Sequence, residues 1–149
     1  MKKTFIFIAL LIAFAMTLVH VLIGGRLIAR PLLESGLDTL PRMTLYLCWH
    51  GVTIVLAGMA GLYADALFWR RRADSAWLAT ALAAAFFVLG WGYIAAFGLS
   101  PLQLPQWIAF GPMAVFGALG ARSLSAETTK SAKTVNETPE IPIAKDRLR

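Results

Sequence analysis

The stretch FIFIALLIAFAMTLVHVLIG, residues 5–24, decides the fold. It carries no charged side chain. A helix rising about 1.5 Å per residue needs about 20 apolar residues to cross about 30 Å of hydrocarbon. Lipid offers no partners to open backbone groups, so such a segment has to be helical. Working outward, three more stretches qualify, at about 43–69, 75–99 and 102–121. The expected fold is therefore all-α: a polytopic membrane protein with four transmembrane helices in a bundle. The membrane domain is expected over residues 1–122. From Ser123 the composition turns to Ser, Thr, Lys, Glu and Pro, and 123–149 is expected to be a disordered cytoplasmic tail.

Composition supports this class. The chain is 58% hydrophobic, 15% charged and has a mean hydropathy of +0.68, outside the range of soluble domains. Its net charge of +6 lies mostly at the ends of apolar runs. That placement is a topology and lipid-headgroup signal, and it offers no clustered face for nucleic acid.

The basic residues also orient the chain. Lys2 and Lys3 precede the first segment, Arg70, Arg71 and Arg72 join the second to the third, and Arg122 closes the fourth. The link from Ser100 to Gln106 is uncharged. Both termini are expected in the cytoplasm. Arg26, Arg30 and Arg42 on the first outer loop run mildly against the pattern. The small size and Lys-Lys start point to a bacterial inner (plasma) membrane. The start also resembles a secretory signal ending at Ala13-Phe14-Ala15, but the apolar run continues to Gly24 and reads as a span.

Helices in lipid associate through small residues that allow close approach. Ala9, Ala13, Thr17, His20 and Gly24 form one stripe on the first segment. Gly51, Gly58, Gly61 and Asp65 form another on the second. Both stripes are expected to face other helices. Gly24 and Gly25 are expected to end the first helix, with residues 27–36 lying along the interface. Pro112 is expected to kink the fourth.

His20 and His50 are the only histidines, each near the outer end of a different segment, about 6 Å and 10 Å deep. An imidazole is costly in hydrocarbon and usually faces protein or a water-filled cavity. Two imidazoles from neighbouring helices can ligate haem b or a transition metal. Arg26 and Arg30 are then candidates for an anionic cofactor edge, and Cys48 is a candidate third metal ligand. The plainer expectation is that each histidine hydrogen-bonds within the bundle and fixes packing. Cys48 and His50 are two apart on a helix and face different ways, so a direct dyad is not expected.

The absences narrow the function. One cysteine, Cys48, rules out a mechanism based on paired cysteines. No carboxylate lies at mid-membrane depth, as a small proton-coupled exporter needs. No asparagine or internal arginine lies in 43–69, as the membrane glutathione transferases need. No serine lies deep in a span for an intramembrane protease, and two histidines cannot ligate two haems. The leading expectation is a non-enzymatic integral membrane protein that packs with itself or with a larger membrane partner. The alternatives are an outer-facing electron carrier using His20 and His50, and a small-molecule permease with an outer pocket near Trp91 and Tyr93.

Overall fold

The computed structural model describes residues 2–69 and 72–136, with side-chain surroundings for 3–69 and 72–130. Helix makes up 88% of it and no strand occurs among the described residues, which settles the all-α class. The order is α1 (Lys2–Val19), a π-helical stretch (His20–Ala29), α2 (Arg30–Leu33), α3 (Thr39–Ala64), a second π-helical stretch (Asp65–Trp69), α4 (Ala73–Phe97) and α5 (Trp107–Asn136).

Four continuous helical spans result: Lys3–Leu33, Thr39–Trp69, Ala73–Phe97 and Trp107–Lys130. The shortest has 24 residues, enough at about 1.5 Å each to cross a bilayer core. The outer surface agrees with that length. Leu27, Leu47, Ile54 and Val88 are each about two-thirds exposed or more. Large apolar side chains turned outward on all sides belong in lipid rather than water.

The helices pack in a ring. α1 lies against α3 and α5, and α4 lies against the same two. The core sits towards the end where α1 begins and α3 finishes. Ile6, Ala9 and Ala13 meet Leu56, Met59 and Tyr63, with Ala76, Ala79 and Ala83 from α4 and Met113, Ala121 and Leu124 from α5. Alanine and glycine let the backbones approach, and dispersion between close-packed atoms then holds them. Gly120 lies against Ile6, where an added Cβ would stand 2.5 Å from Ile6 Cδ1. Gly117 lies against Thr80 and Tyr63 just as tightly.

Several sequence expectations need correction. The first helix does not end at Gly24 and Gly25. It continues through them in π-helical winding to Leu33, and Arg30 N–H donates to the Gly25 carbonyl. The only glycine with positive φ is Gly98 (φ 61°), which caps α4. Residues 27–33 thus continue the helix of the first span rather than forming a separate segment, with Ala29 buried.

The second span starts at Thr39 rather than 43, and the fourth at Trp107 rather than 102. Pro41 sits in the first turn of α3, where its missing N–H costs nothing. α5 runs on through Asn136, past the expected boundary at Ser123. The rest of that tail, 137–149, lies outside the described residues, as do Arg70 and Arg71.

The glycine stripe of the second span faces outward. A Cβ at Gly51, Gly58 or Gly61 would meet nothing within 4 Å. α3 buries Leu56, Met59 and Tyr63 instead.

Candidate functional site

His20 opens the first π-helical stretch. Its ring lies flat on the indole of Trp49, with centroids 3.8 Å apart and planes 16° from parallel. His20 Nε2 is 3.3 Å from the Trp49 carbonyl oxygen, so an Nε2–H tautomer donates to it. The same carbonyl accepts from Thr53 Oγ1 at 3.1 Å. Gly24, one turn beyond His20, leaves the room that the indole fills.

His50 goes elsewhere. One residue on a helix turns a side chain by about 100°, and His50 is exposed with its ring edge-on to Tyr46 at 4.6 Å. Cys48 is exposed as well. The bundle therefore brings His20 to Trp49, while His20 and His50 make no ring contact or hydrogen bond with each other. With Nε2 donating, a metal at His20 would have to be taken by Nδ1 on a ring stacked against an indole. Among the described residues no group of three or more His, Cys, Asp or Glu side chains is placed to hold a metal.

Neither candidate arginine joins the histidines. Arg26 is exposed on the π-helical stretch. Arg30 Nε pairs with Glu34 Oε1 at 2.9 Å, one turn on. Both side chains are well exposed, and such a pair contributes little once solvent screens it. Arg42 Nη1 reaches the Ser35 carbonyl at 3.4 Å and ties down the turn between the first two spans.

Trp91 and Tyr93 do not share a pocket wall. They are two apart on α4 and take different neighbours: Trp91 meets Trp107 at 5.6 Å, and Tyr93 meets Phe97 at 5.4 Å. Trp107 Nε1 donates to the Pro101 carbonyl at 3.0 Å, fixing the turn before α5. A shallow cleft lies at the other end of the bundle. It is open to the outside, has a volume of about 440 Å³ and is lined by Lys3, Thr4, Phe7, Leu67 and Phe68.

Sequence reasoning missed a buried polar contact in the core. Thr80 Oγ1 donates to the Ala76 carbonyl at 2.7 Å, and Tyr63 Oη lies 3.2 Å from Thr80 Oγ1 and 3.5 Å from the Met113 carbonyl. With the Thr80 proton committed, Tyr63 is the donor. A tyrosine and a threonine deep in neighbouring spans were the available signal. Near the same end, Ser75 Oγ donates to Asp65 Oδ2 at 2.7 Å.

Together these groups couple helices: a ring stack joins the first two spans, and a hydroxyl pair joins α3, α4 and α5. No family model matches the chain, and comparison with curated proteins and with solved structures found no match.

Proposed function

We propose that this small membrane protein is a non-enzymatic packing subunit, associating within the bilayer with itself or with a larger membrane partner through the glycine face of α3. The observation that carries the reading is a contrast between glycines. Gly24, Gly111, Gly117 and Gly120 are each filled by a side chain of a neighbouring helix. Gly51, Gly58 and Gly61 lie on one side of α3 against open space. Apolar surface gains little by leaving lipid for another helix, whereas small residues allow backbone contact. The proposed setting is a bacterial inner membrane with both termini cytoplasmic. Its support is the order of charges along the sequence: Lys2 and Lys3 precede the first span, the arginine triplet at 70–72 joins the second to the third, and Arg122 lies late in the fourth.

The test replaces Gly58 and Gly61 together with leucine. Self-association is followed by energy transfer between labelled chains in liposomes. A photo-crosslinking residue at position 58 reports contacts in native membranes. The expected result is loss of association, or of a discrete protein adduct, with thermal unfolding of the single chain unchanged. A wild-type chain that stays monomeric and crosslinks only to lipid overturns the reading.

A further inference from the structure

We infer that the cleft between the start of α1 and the second π-helical stretch is a seat for one anionic phospholipid, with its phosphate at Lys3 and Thr4 and an acyl chain along Phe7 and Phe68. The cleft measures about 440 Å³ and is lined by five residues, none of them acidic. Its polar lining comes from the first turn of α1, one turn before Phe7. Lys3 and Thr4 stand at the end of the span, and Phe7, Leu67 and Phe68 form the wall beside them. That is the division between a headgroup and a chain.

The polar groups have no partner among the described residues. Lys3 makes no ion pair or hydrogen bond with the described residues, and neither does the Thr4 hydroxyl. Thr17, Thr44, Thr53 and Thr80 differ, since each donates to the carbonyl four residues back. Asp65, the acid closest in sequence to the wall, accepts from Ser75 on the next helix.

The wall is open too. Phe7 is 45% exposed and Phe68 is 60% exposed. The other face of this turn of α1 is already covered, with Phe5 stacked on Phe116 and Ile6 packed on Gly120. Leu67, which also lines the cleft, is buried. Charge complementarity selects the occupant. In sequence, Lys2 adjoins Lys3, and the arginine triplet follows Trp69 directly. On the cytoplasmic orientation proposed above, on which this step rests, basic pockets between spans suit anionic headgroups, whereas a zwitterionic lipid carries no net charge to attract.

The experiment uses the full chain in detergent, stripped of lipid and titrated with dioleoylphosphatidylglycerol or dioleoylphosphatidylcholine. Bound lipid is counted by native mass spectrometry. One phosphatidylglycerol should bind, favoured about tenfold over phosphatidylcholine. Lys3→Gln with Thr4→Val should weaken it about fivefold or more, as loss of a lysine at an anionic surface implies. Arg122→Gln, at the same end but outside the cleft, should change it less than twofold. A photoactivatable acyl chain should label Phe7 or Phe68 in the wild type.

Equal binding of the two lipids overturns the inference. So does an Arg122→Gln effect as large as that of the double variant, which would mean diffuse attraction to the basic end. Full competition by millimolar inorganic phosphate would replace the lipid with a free anion and also overturn it. None of these outcomes depends on the glycine face of α3.

Discussion

Gly24 of the first span and Trp49 of the second meet with no side chain between them: a Cβ built at Gly24 stands 2.6 Å from Trp49 Cη2. The indole fills the gap and carries the imidazole of His20 on its face. Gly24 was expected to end the helix. Its missing side chain instead serves a helix-to-helix contact, and the chain winds on without a positive φ.

Gly24→Ala should therefore push the indole aside and disturb the His20 stack. Overpacking of this kind costs roughly 1–3 kcal/mol. The lower end applies, since Trp49 is half-buried and can shift. Gly25→Ala is the control, because a Cβ there meets nothing within 4 Å. Thermal unfolding in detergent should show a lower midpoint for position 24 and no loss for position 25. Equal midpoints would show that the close approach carries no weight.

His20 and Trp49 should be energetically coupled. Aromatic pairs contribute about 0.5–1.5 kcal/mol beyond their burial. A double-mutant cycle with His20→Leu and Trp49→Leu, read by unfolding, should return coupling in that range. The same cycle between His50 and Trp49 should return a value near zero, since His50 packs on Tyr46 instead.

Much of the fold was legible in sequence because hydrocarbon length and charge placement are one-dimensional signals. Residues 5–24 and the three other runs mark four spans, and the structure has four. Which face of a span turns inward is a different matter. Ala9 and Ala13 are buried as their stripe suggests, yet Gly51, Gly58 and Gly61 on an equally regular stripe are not. In lipid both faces are apolar, so no polarity difference marks the inner one. The π-helical stretch from His20 is hidden for a related reason. It shifts the register of every side chain beyond it, and no composition signal announces that shift. The pairing of His20 with Trp49, one residue before His50, is hidden by the lack of a polarity difference between the faces of α3.

The hydroxyl pair in the core should respond asymmetrically. Tyr63→Phe removes one donor and leaves Thr80 bonded to the Ala76 carbonyl. Hydrogen bonds between spans average about 0.6 kcal/mol, and the loss should be near that. Thr80→Val removes the acceptor and leaves Tyr63 Oη with only the Met113 carbonyl at 3.5 Å. A buried hydroxyl without a good partner costs more than a lost bond, about 1–3 kcal/mol. Unfolding measurements should therefore rank Thr80→Val as more damaging than Tyr63→Phe; the reverse order would mean that Tyr63 finds another acceptor.

Gly117 makes the largest demand on a single position. A Cβ there overlaps both Thr80 Oγ1 and Tyr63 Oη. Thr80 is fixed by its bond to Ala76 and Tyr63 is fully buried, so neither can move as freely as the Trp49 indole. Gly117→Ala should cost about 3 kcal/mol, the upper end of the overpacking range. Adding Tyr63→Phe and Thr80→Ala removes both hydroxyl oxygens and should recover part of that loss, even though the pair itself is gone. Gly58→Ala is the counterpart on the outward face, where the new methyl meets nothing. It should leave the unfolding midpoint of the single chain unchanged or slightly raised, because alanine favours helix over glycine. Partial recovery in the triple variant would locate the strain at the hydroxyls. No recovery would locate it in the backbone contact between α5 and its neighbours.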